Sequence, residues 1–426
     1  MKKLLLILLC LPMIGFGQGW TLNYTGSSYE DIGVDVIQAP NGDYLIVGEL
    51  YDGDYTPVLI KVDANGIFQS EQIYGPGVYL EKLESIEKTN DGGYILCGEI
   101  RYDQWGMGCY PTDDVWLIKI DANGNLLWDR QFDFNNTYDR AMEAQQTNDG
   151  GYIITGSADN KILLIKTDED GDQQWNQILD STTTNEQRGG FSVEQTTDGG
   201  YIVGGISGLG TPCLIKTDED GNQQWNQTFG GVTNNAARSV EQTTDGGYIF
   251  TGEYDNNIVR DLWLVKTDEN GVEQWSKTFG ASNDAKGYSV TQTTDGGYIV
   301  CGQIESIIFY DGLDVYLIKT DENGVEQWSK TFGGTSRDRG YSVEQTTDGG
   351  YIITGETRSF SNNREIYIIK TDGNGNVTST FNIPINPNRK LEKTVDILGK
   401  QTKPQTNIPF IEIYDDGTVE KRIVIE

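Results

Sequence analysis

One phrase recurs along the chain and limits what it can fold into. Thr-Asp-Gly-Gly-Tyr-Ile, or a close variant, returns again and again. Its tyrosine falls at Tyr44, Tyr94, Tyr152, Tyr201, Tyr248, Tyr298 and Tyr351, at spacings of 47 to 58 residues. Seven units of about fifty residues therefore follow one another, and such a period marks a repeat architecture. Each unit carries the same four phrases; in the sixth they read YSVTQT, GGYIVCGQ, DVYLIKT and VEQWSKTFG. Each is a short run rich in Val, Ile, Tyr, Trp and Thr, which reads as a strand. Thr-Asp-Gly-Gly separates the first two, and Asp-Glu-Asn-Gly or Asp-Glu-Asp-Gly the last two. Asn-Gly and Asp-Gly supply the positive φ angles that tight hairpins need.

Each unit is thus expected to be a four-stranded antiparallel meander. One such sheet cannot bury both of its apolar faces, but seven stacked around an axis can. The predicted fold is all-β: a seven-bladed β-propeller over residues 18–383, with a short β segment after it. The chain ends support closure of the ring. GWTLNYTG at 19–26 is a fourth-strand phrase that precedes the first complete unit, while the seventh unit ends in NVTSTFNIP, without the tryptophan. The N-terminal strand is therefore expected to supply the outer strand of the seventh blade. Trp128, Trp175, Trp225, Trp275 and Trp328 follow the strand-three lysine by nine residues; the first unit has Ser70 there, with Phe68 nearby. Aromatics at so fixed a place are expected to pack blade on blade.

The repeated phrase is turn and buried strand, so function is sought where the units differ. In a meander the turns alternate between the two faces of the ring. Loops two-to-three and four-to-one share one face, and these vary, as loops of a binding surface do. The longest, RYDQWGMGCYPTDD at 101–114, sets Tyr102, Trp105 and Tyr110 beside Asp103. Tyr254, Phe309 and Tyr310 lie on other loops of this face. Exposed aromatics beside carboxylates suit stacking on sugar rings, and they also suit a protein contact. These seven residues are the candidate ligand-binding set. Glu49, Glu99, Glu253 and Glu356 stand five residues after their tyrosines, at the mouth of strand two. They are candidate ligands for calcium; their recurrence favours hydrogen bonding within each blade instead. DEDGD at 168–172 has the start of a calcium loop, but Gly171 comes too early and Leu179 replaces the closing glutamate. It reads as a hairpin turn.

Composition removes several function classes. Asp and Glu number 64 against 32 Lys and Arg, so nucleic acid and anionic membrane surfaces are not expected partners. The chain has no histidine, which excludes Ser-His-Asp hydrolysis and His-ligated zinc. No nucleophile motif or phosphate loop stands out, and a propeller implies no activity by itself. The chain is expected to be no enzyme and to need no cofactor. Residues 1–17, MKKLLLILLCLPMIGFG, have the charged start, apolar core and small-residue end of a secretory signal peptide. The run is too short to span a membrane, and no other stretch is long enough. Cys97 and Cys301 occupy a place that sister units fill with Thr155, Thr251 and Thr354, so small fillers are expected there. A Cys97–Cys109 bridge across one loop is the alternative for Cys97.

The units stop near residue 383. PINPNRK at 384–390 reads as a linker, and 391–426 as a separate segment. Its Val395-Asp396-Ile397-Leu398-Gly399-Lys400, Phe410 to Tyr414, Asp416-Gly417 and the finish Lys421-Arg422-Ile423-Val424-Ile425 resemble the C-terminal sorting domain of type IX secretion in Bacteroidota. Pro409-Phe410-Ile411 replaces the usual Gly-x-Tyr, and the upstream strands of a full domain are missing. The resemblance implies that Asp396, Leu398, Gly399, Lys421 and Val424 belong to a sorting signal. It further implies the type IX machinery as a partner, and export to the outer cell surface or beyond. The reading of the sequence is a secreted or surface-bound propeller that binds an extracellular glycan or a partner protein on its variable-loop face. A polysaccharide-degrading enzyme that uses loop carboxylates is one alternative; a structural adhesion element without a discrete ligand is another.

Overall fold

The computed structural model describes residues 19–27, 29–75, 80–101, 113–134, 138–179, 189–207, 210–230, 235–255, 259–280, 283–305, 312–361, 363–377, 391–396, 402–403, 410–414 and 419–422. Residues 1–17, expected to be a signal peptide, and 384–390, expected to be a linker, lie outside them. The chain forms two compact units, Met1–Thr378 and Ser379–Glu426.

The first unit is a seven-bladed β-propeller of four-stranded antiparallel blades, as the repeats predict. Blade 6 is typical, with strands Ala285–Gln292, Tyr298–Glu305, Leu313–Thr320 and Glu326–Phe332 running outward from the axis. Blades 1 and 2 are also joined by one parallel pair, Tyr55 with Leu80. The seventh blade takes Trp20–Tyr24 as its outer strand. That strand pairs antiparallel with Glu365–Thr371, from Trp20 opposite Lys370 to Tyr24 opposite Ile366, so the ring closes as the sequence implies.

The repeated phrase now has a physical account. In blade 6 the Asp295 carboxylate accepts from Thr293 Oγ1 at 2.6 Å and from the Gly297 amide at 3.1 Å. It also pairs with the buried strand-three Lys319 at 3.0 Å. Six blades share this clasp, and Lys61 with Asp43 is the version in blade 1. The second glycine of the turn is required because a Cβ there would strike the backbone: at Gly297 it would run into the Thr320 carbonyl oxygen, with the Lys319 Nζ at 2.6 Å. The turn also fastens neighbours: the Thr294 amide donates to Gln345 Oε1 of the next blade at 2.9 Å. Asn90, Asn148, Thr197, Thr244 and Thr347 do the same to Gln146, Gln195, Gln242, Gln292 and Gln38. The last of these crosses the closure from blade 7 to blade 1.

Each outer-strand tryptophan packs on the tyrosine of the following blade. Ring centroids lie 5.7 to 5.9 Å apart in the pairs Trp20–Tyr44, Trp128–Tyr152, Trp175–Tyr201, Trp225–Tyr248, Trp275–Tyr298 and Trp328–Tyr351. Blade 1 lacks the tryptophan, and Tyr74 replaces it by donating its hydroxyl to the Gly124 carbonyl of blade 2 at 2.7 Å. Between blades 2 and 3 the Cys97 thiol is free, buried and 3.2 Å from Ser85 Oγ. Cys301 is likewise free and buried, so both act as fillers; Cys109 lies outside the described residues. Among those residues there is no helix long and apolar enough to cross a membrane, a fact that says nothing of strands.

The second unit contains a three-stranded antiparallel sheet, Leu391–Asp396, Phe410–Tyr414 and Val419–Arg422 in that order. Asp396 ends the first strand opposite Phe410, and Lys421 stands opposite Ile411. Leu398, Gly399 and Val424 lie outside the described residues.

Candidate functional site at the channel mouth

The inner strands line a channel along the propeller axis, and each carries one β-bulge at the same place. The register shifts between Gly33 and Asp35, Leu83 and Ser85, Ala141 and Glu143, Gly190 and Ser192, Ala237 and Ser239, Gly287 and Ser289, and Gly340 and Ser342. A regular strand sends neighbouring side chains to opposite faces; a bulge re-aims one of them. The bulged residue and its successor therefore both face a single cavity of about 430 Å³. The bulged residues are Val34, Glu84, Met142, Phe191, Arg238, Tyr288 and Tyr341, one from each blade, and all are half-buried.

Their successors bind the ring together. Asp35 accepts the Ile86 amide at 2.9 Å and Ser85 the Ala144 amide at 3.2 Å. Glu143, Ser192, Ser239 and Ser289 accept from Val193, Val240, Val290 and Val343 in turn. Ser342 closes the circle by donating to Asp35 Oδ1 at 2.6 Å. These residues are structural, and the bulged residues above them are left to vary.

The mouth has two unlike arcs. On the side of blades 4 to 7 it is aromatic. The Arg238 guanidinium lies 5.5 Å from the Phe191 ring centre and 5.2 Å from that of Tyr288, and Tyr288 meets Tyr341 edge to face at 5.2 Å. Glu253 holds Arg238 in place through two hydrogen bonds of 2.9 and 3.0 Å. The side of blades 1 and 2 is acidic. Glu49 and Glu84 line the cavity there with Lys82 and Tyr55. Lys82 pairs with Glu99 at 3.4 Å and lies 4.9 Å from the Tyr55 ring centre.

Burial, with repulsion from Glu84, pushes the Glu49 carboxyl up to about 8; burial, with repulsion from Glu99, pushes that of Glu84 up to about 7. Glu143 is raised to about 8, Glu87, Glu194 and Glu241 to about 7, and Asp35 to about 6, burial being the chief cause throughout. Acids raised in the folded state stabilise it fully below their unfolded values near 4, and this stability is lost as pH rises through 6 to 8. The turn aspartates act oppositely. Asp91 is held down to about 2, and Asp149, Asp198, Asp245, Asp295 and Asp348 are lowered too. Although burial opposes it, hydrogen bonds from threonine, lysine and amide groups outweigh that effect. Their contribution is present above about pH 4 and is lost on further acidification. A thermal-melt series should therefore peak between about pH 4.5 and 6 and fall by pH 8.5. A melting temperature that climbs steadily to pH 8.5 would contradict this electrostatic picture of the channel.

The structure separates the residues singled out from the sequence. Glu99, Glu253 and Glu356 are bound within their own blades, by Lys82, Arg238 and Arg339 respectively; Glu356 also takes Arg364. Among the described residues their partners are basic side chains. Glu49 alone of the four lines the cavity. Among the described residues no three His, Cys, Asp or Glu side chains group as ligands for a metal ion. DEDGD is a hairpin turn in which Asp168 Oδ1 accepts the Asp170 and Asp172 amides. Tyr254 is half-buried against Trp263, with ring centres 5.4 Å apart. Tyr102, Asp103, Trp105, Tyr110, Phe309 and Tyr310 lie outside the described residues. The bulged set was not singled out from sequence. Its signal was present, because the residue before each Ser-Val or its equivalent changes in nearly every unit while the residues after it repeat.

No protein-family model matches the chain, and no curated protein sequence does. Solved structures do match in fold. A catalytically inactive histidine-to-alanine variant of virginiamycin B lyase from Staphylococcus aureus, with quinupristin, is similar at a TM-score of 0.51 and 9% identity, over 83% of this chain and 100% of that one. Sqt1 from Chaetomium thermophilum is similar at 0.51 and 12% identity, over 82% of this chain and 97% of that one. Sqt1 bound to the N-terminus of ribosomal protein L10 gives 0.50 and 12% over 82% and 100%. At such identities the likeness is one of fold, and the fold this chain shares with them is the β-propeller.

Proposed function

We propose that the protein is a binding module that works outside the cell, secreted or held at the outer surface. It takes an extracellular glycan or a partner protein at the channel mouth, on the face of the variable loops. One observation carries the reading: seven bulges turn seven side chains of six different kinds into a single cavity inside an otherwise repetitive ring. Repetition serves the scaffold, and variation at one symmetric position serves recognition. The aromatic arc suits the flat face of a sugar ring, and the carboxyls suit its hydroxyls.

The signal-peptide-like start and the resemblance of the tail to a type IX sorting domain support export through that machinery. Sqt1 binds a protein segment, the N-terminus of L10, so a peptide ligand fits the same fold. Binding is favoured over lyase chemistry because a histidine-to-alanine change accompanies the inactive lyase, whereas this chain has no histidine. Polysaccharide cleavage is the second reading. It is favoured by cavity carboxyls held protonated near neutrality, as a general acid requires.

A glycan array probed with the purified protein, with calcium and with chelator, tests the proposal. Selective binding that is lost in Tyr341→Ala is expected. A blank array from folded protein sinks the glycan half of the proposal and leaves the protein ligand. Release of shortened oligosaccharide from a bound glycan would move the assignment to the enzyme reading.

A further inference from the structure

Glu49 stands apart from its counterparts. Its side chain lines the cavity, the residue is only 5% exposed, and no hydrogen bond or ion pair ties it to another described residue. Glu99, Glu253 and Glu356, at the same place in other blades, each have a basic partner within 3.4 Å. Lys82 makes its ion pair with Glu99 and Arg238 with Glu253; Lys82 attracts Glu49 through space but makes no hydrogen bond to it. Glu84 faces the same acidic side, and its like charge acts on Glu49. A buried carboxyl without a partner is costly unless something supplies the missing charge or hydrogen bond.

We infer that the acidic arc around Glu49 and Glu84 receives the ammonium group of an amino sugar, whose ring lies against Tyr288 and Tyr341. This deepens the proposed function and rests on it. A protonated amine offers three donors and one positive charge to two carboxylates, and the charge-assisted bonds are the strong kind. Tyr288 and Tyr341, which line the same cavity, supply the aromatic surface for the ring. A cavity of about 430 Å³ falls in the range of small-ligand sites. An N-acetylated sugar lacks the cation and would leave both acids unanswered. A simple diamine has the cation but no ring for the aromatic arc.

Glu49 is faced by Glu84, Lys82, Glu99 and Arg364. The two acids repel and the two bases attract, and burial holds the carboxyl protonated near neutrality. Pairing with an ammonium ionises Glu49 and Glu84, so binding releases protons at every pH where the free amine is already protonated. It also tightens as pH rises from 5.5 toward the pKa of the amine, above which the ligand loses its own charge.

Calorimetry of the full chain with β-1,4-linked glucosamine pentamer, its fully N-acetylated counterpart and cadaverine makes the test. Two buffers of different ionisation enthalpy count the protons. The glucosamine oligomer should bind at least ten times tighter than either control and release protons. Glu49→Gln and Glu84→Gln should each weaken it about tenfold or more and flatten the pH dependence. Both changes keep the shape of the side chain, and a thermal melt confirms folding. Equal binding of the N-acetylated oligomer overturns the ammonium assignment while leaving the channel-mouth reading intact. Equal binding of cadaverine overturns the sugar. No binding of any probe, from a protein that still binds elsewhere on a glycan array, overturns the inference alone. No probe bound and a blank array remove the glycan reading with it.

Discussion

Deleting residues 19–24 should lower the melting temperature by roughly 10 °C or more, a larger loss than any substitution at the channel mouth. The deletion strips the outer strand from the seventh blade and leaves Glu365–Thr371 as a bare edge. It removes Trp20, Leu22 and Tyr24 from a core shared with Tyr44, Ile46, Val58, Ile60 and Ile368. It also removes the bond from Trp20 Nε1 to the Ala64 carbonyl at 3.1 Å. Three half-buried apolar side chains and a ladder of hydrogen bonds are worth on the order of 5 kcal/mol. Closure is where the loss counts most, because every other blade is fastened by chain continuity. Trp20→Ala alone should cost about half as much. An unchanged melting temperature would mean that the ring is held without this strand.

Arg238→Ala should be the most damaging single change at the mouth, by about 3 kcal/mol. The arginine is about a quarter exposed, but its partner Glu253 is almost wholly buried, and two hydrogen bonds join them. Removing one member of such a pair leaves an uncompensated buried carboxylate, which is the costly case. It also removes the cation held between Phe191 and Tyr288. The double variant Arg238→Met with Glu253→Gln should recover most of the loss, since it removes both charges and keeps the volume. Chemical denaturation of the wild type and the two variants separates these cases. A double variant no better than Arg238→Ala would place the damage in the aromatic packing instead.

The fold was legible because it is written seven times. The turn Thr-Asp-Gly-Gly, the strand-three lysine and the outer tryptophan each have one local job, and a local job leaves a local signature. Even the closure by Trp20 could be read, since a fourth-strand phrase stood without its first three. Tyr74 in place of the missing tryptophan could not, because it reaches its site from the loop after the strand, four residues beyond Ser70. The channel mouth was hidden for a different reason. Tyr288 and Ser289 are neighbours, and simple alternation sends neighbours to opposite faces of a strand. Only a bulge lets both face the cavity, and a bulge is a property of pairing between strands, not of one strand's pattern. The variation at Val34, Glu84, Met142, Phe191, Arg238, Tyr288 and Tyr341 was visible, but it sat inside a phrase that read as scaffold. The ion pairs of Glu99, Glu253 and Glu356 were hidden in the same way, since their partners come from the neighbouring strand.

The account rests on the bulged residues of the channel mouth as the recognition surface. Its most direct test compares glycan-array profiles of three proteins. These are the wild type, Glu84→Gln with Tyr341→Ala, and a variant in which residues 101–114 are replaced by Ala-Asp-Asn. All three are first shown by thermal melting to be folded. The account predicts that the wild-type profile vanishes in the channel variant and survives the loop replacement. A profile that survives in the channel variant and vanishes with the loop would contradict it.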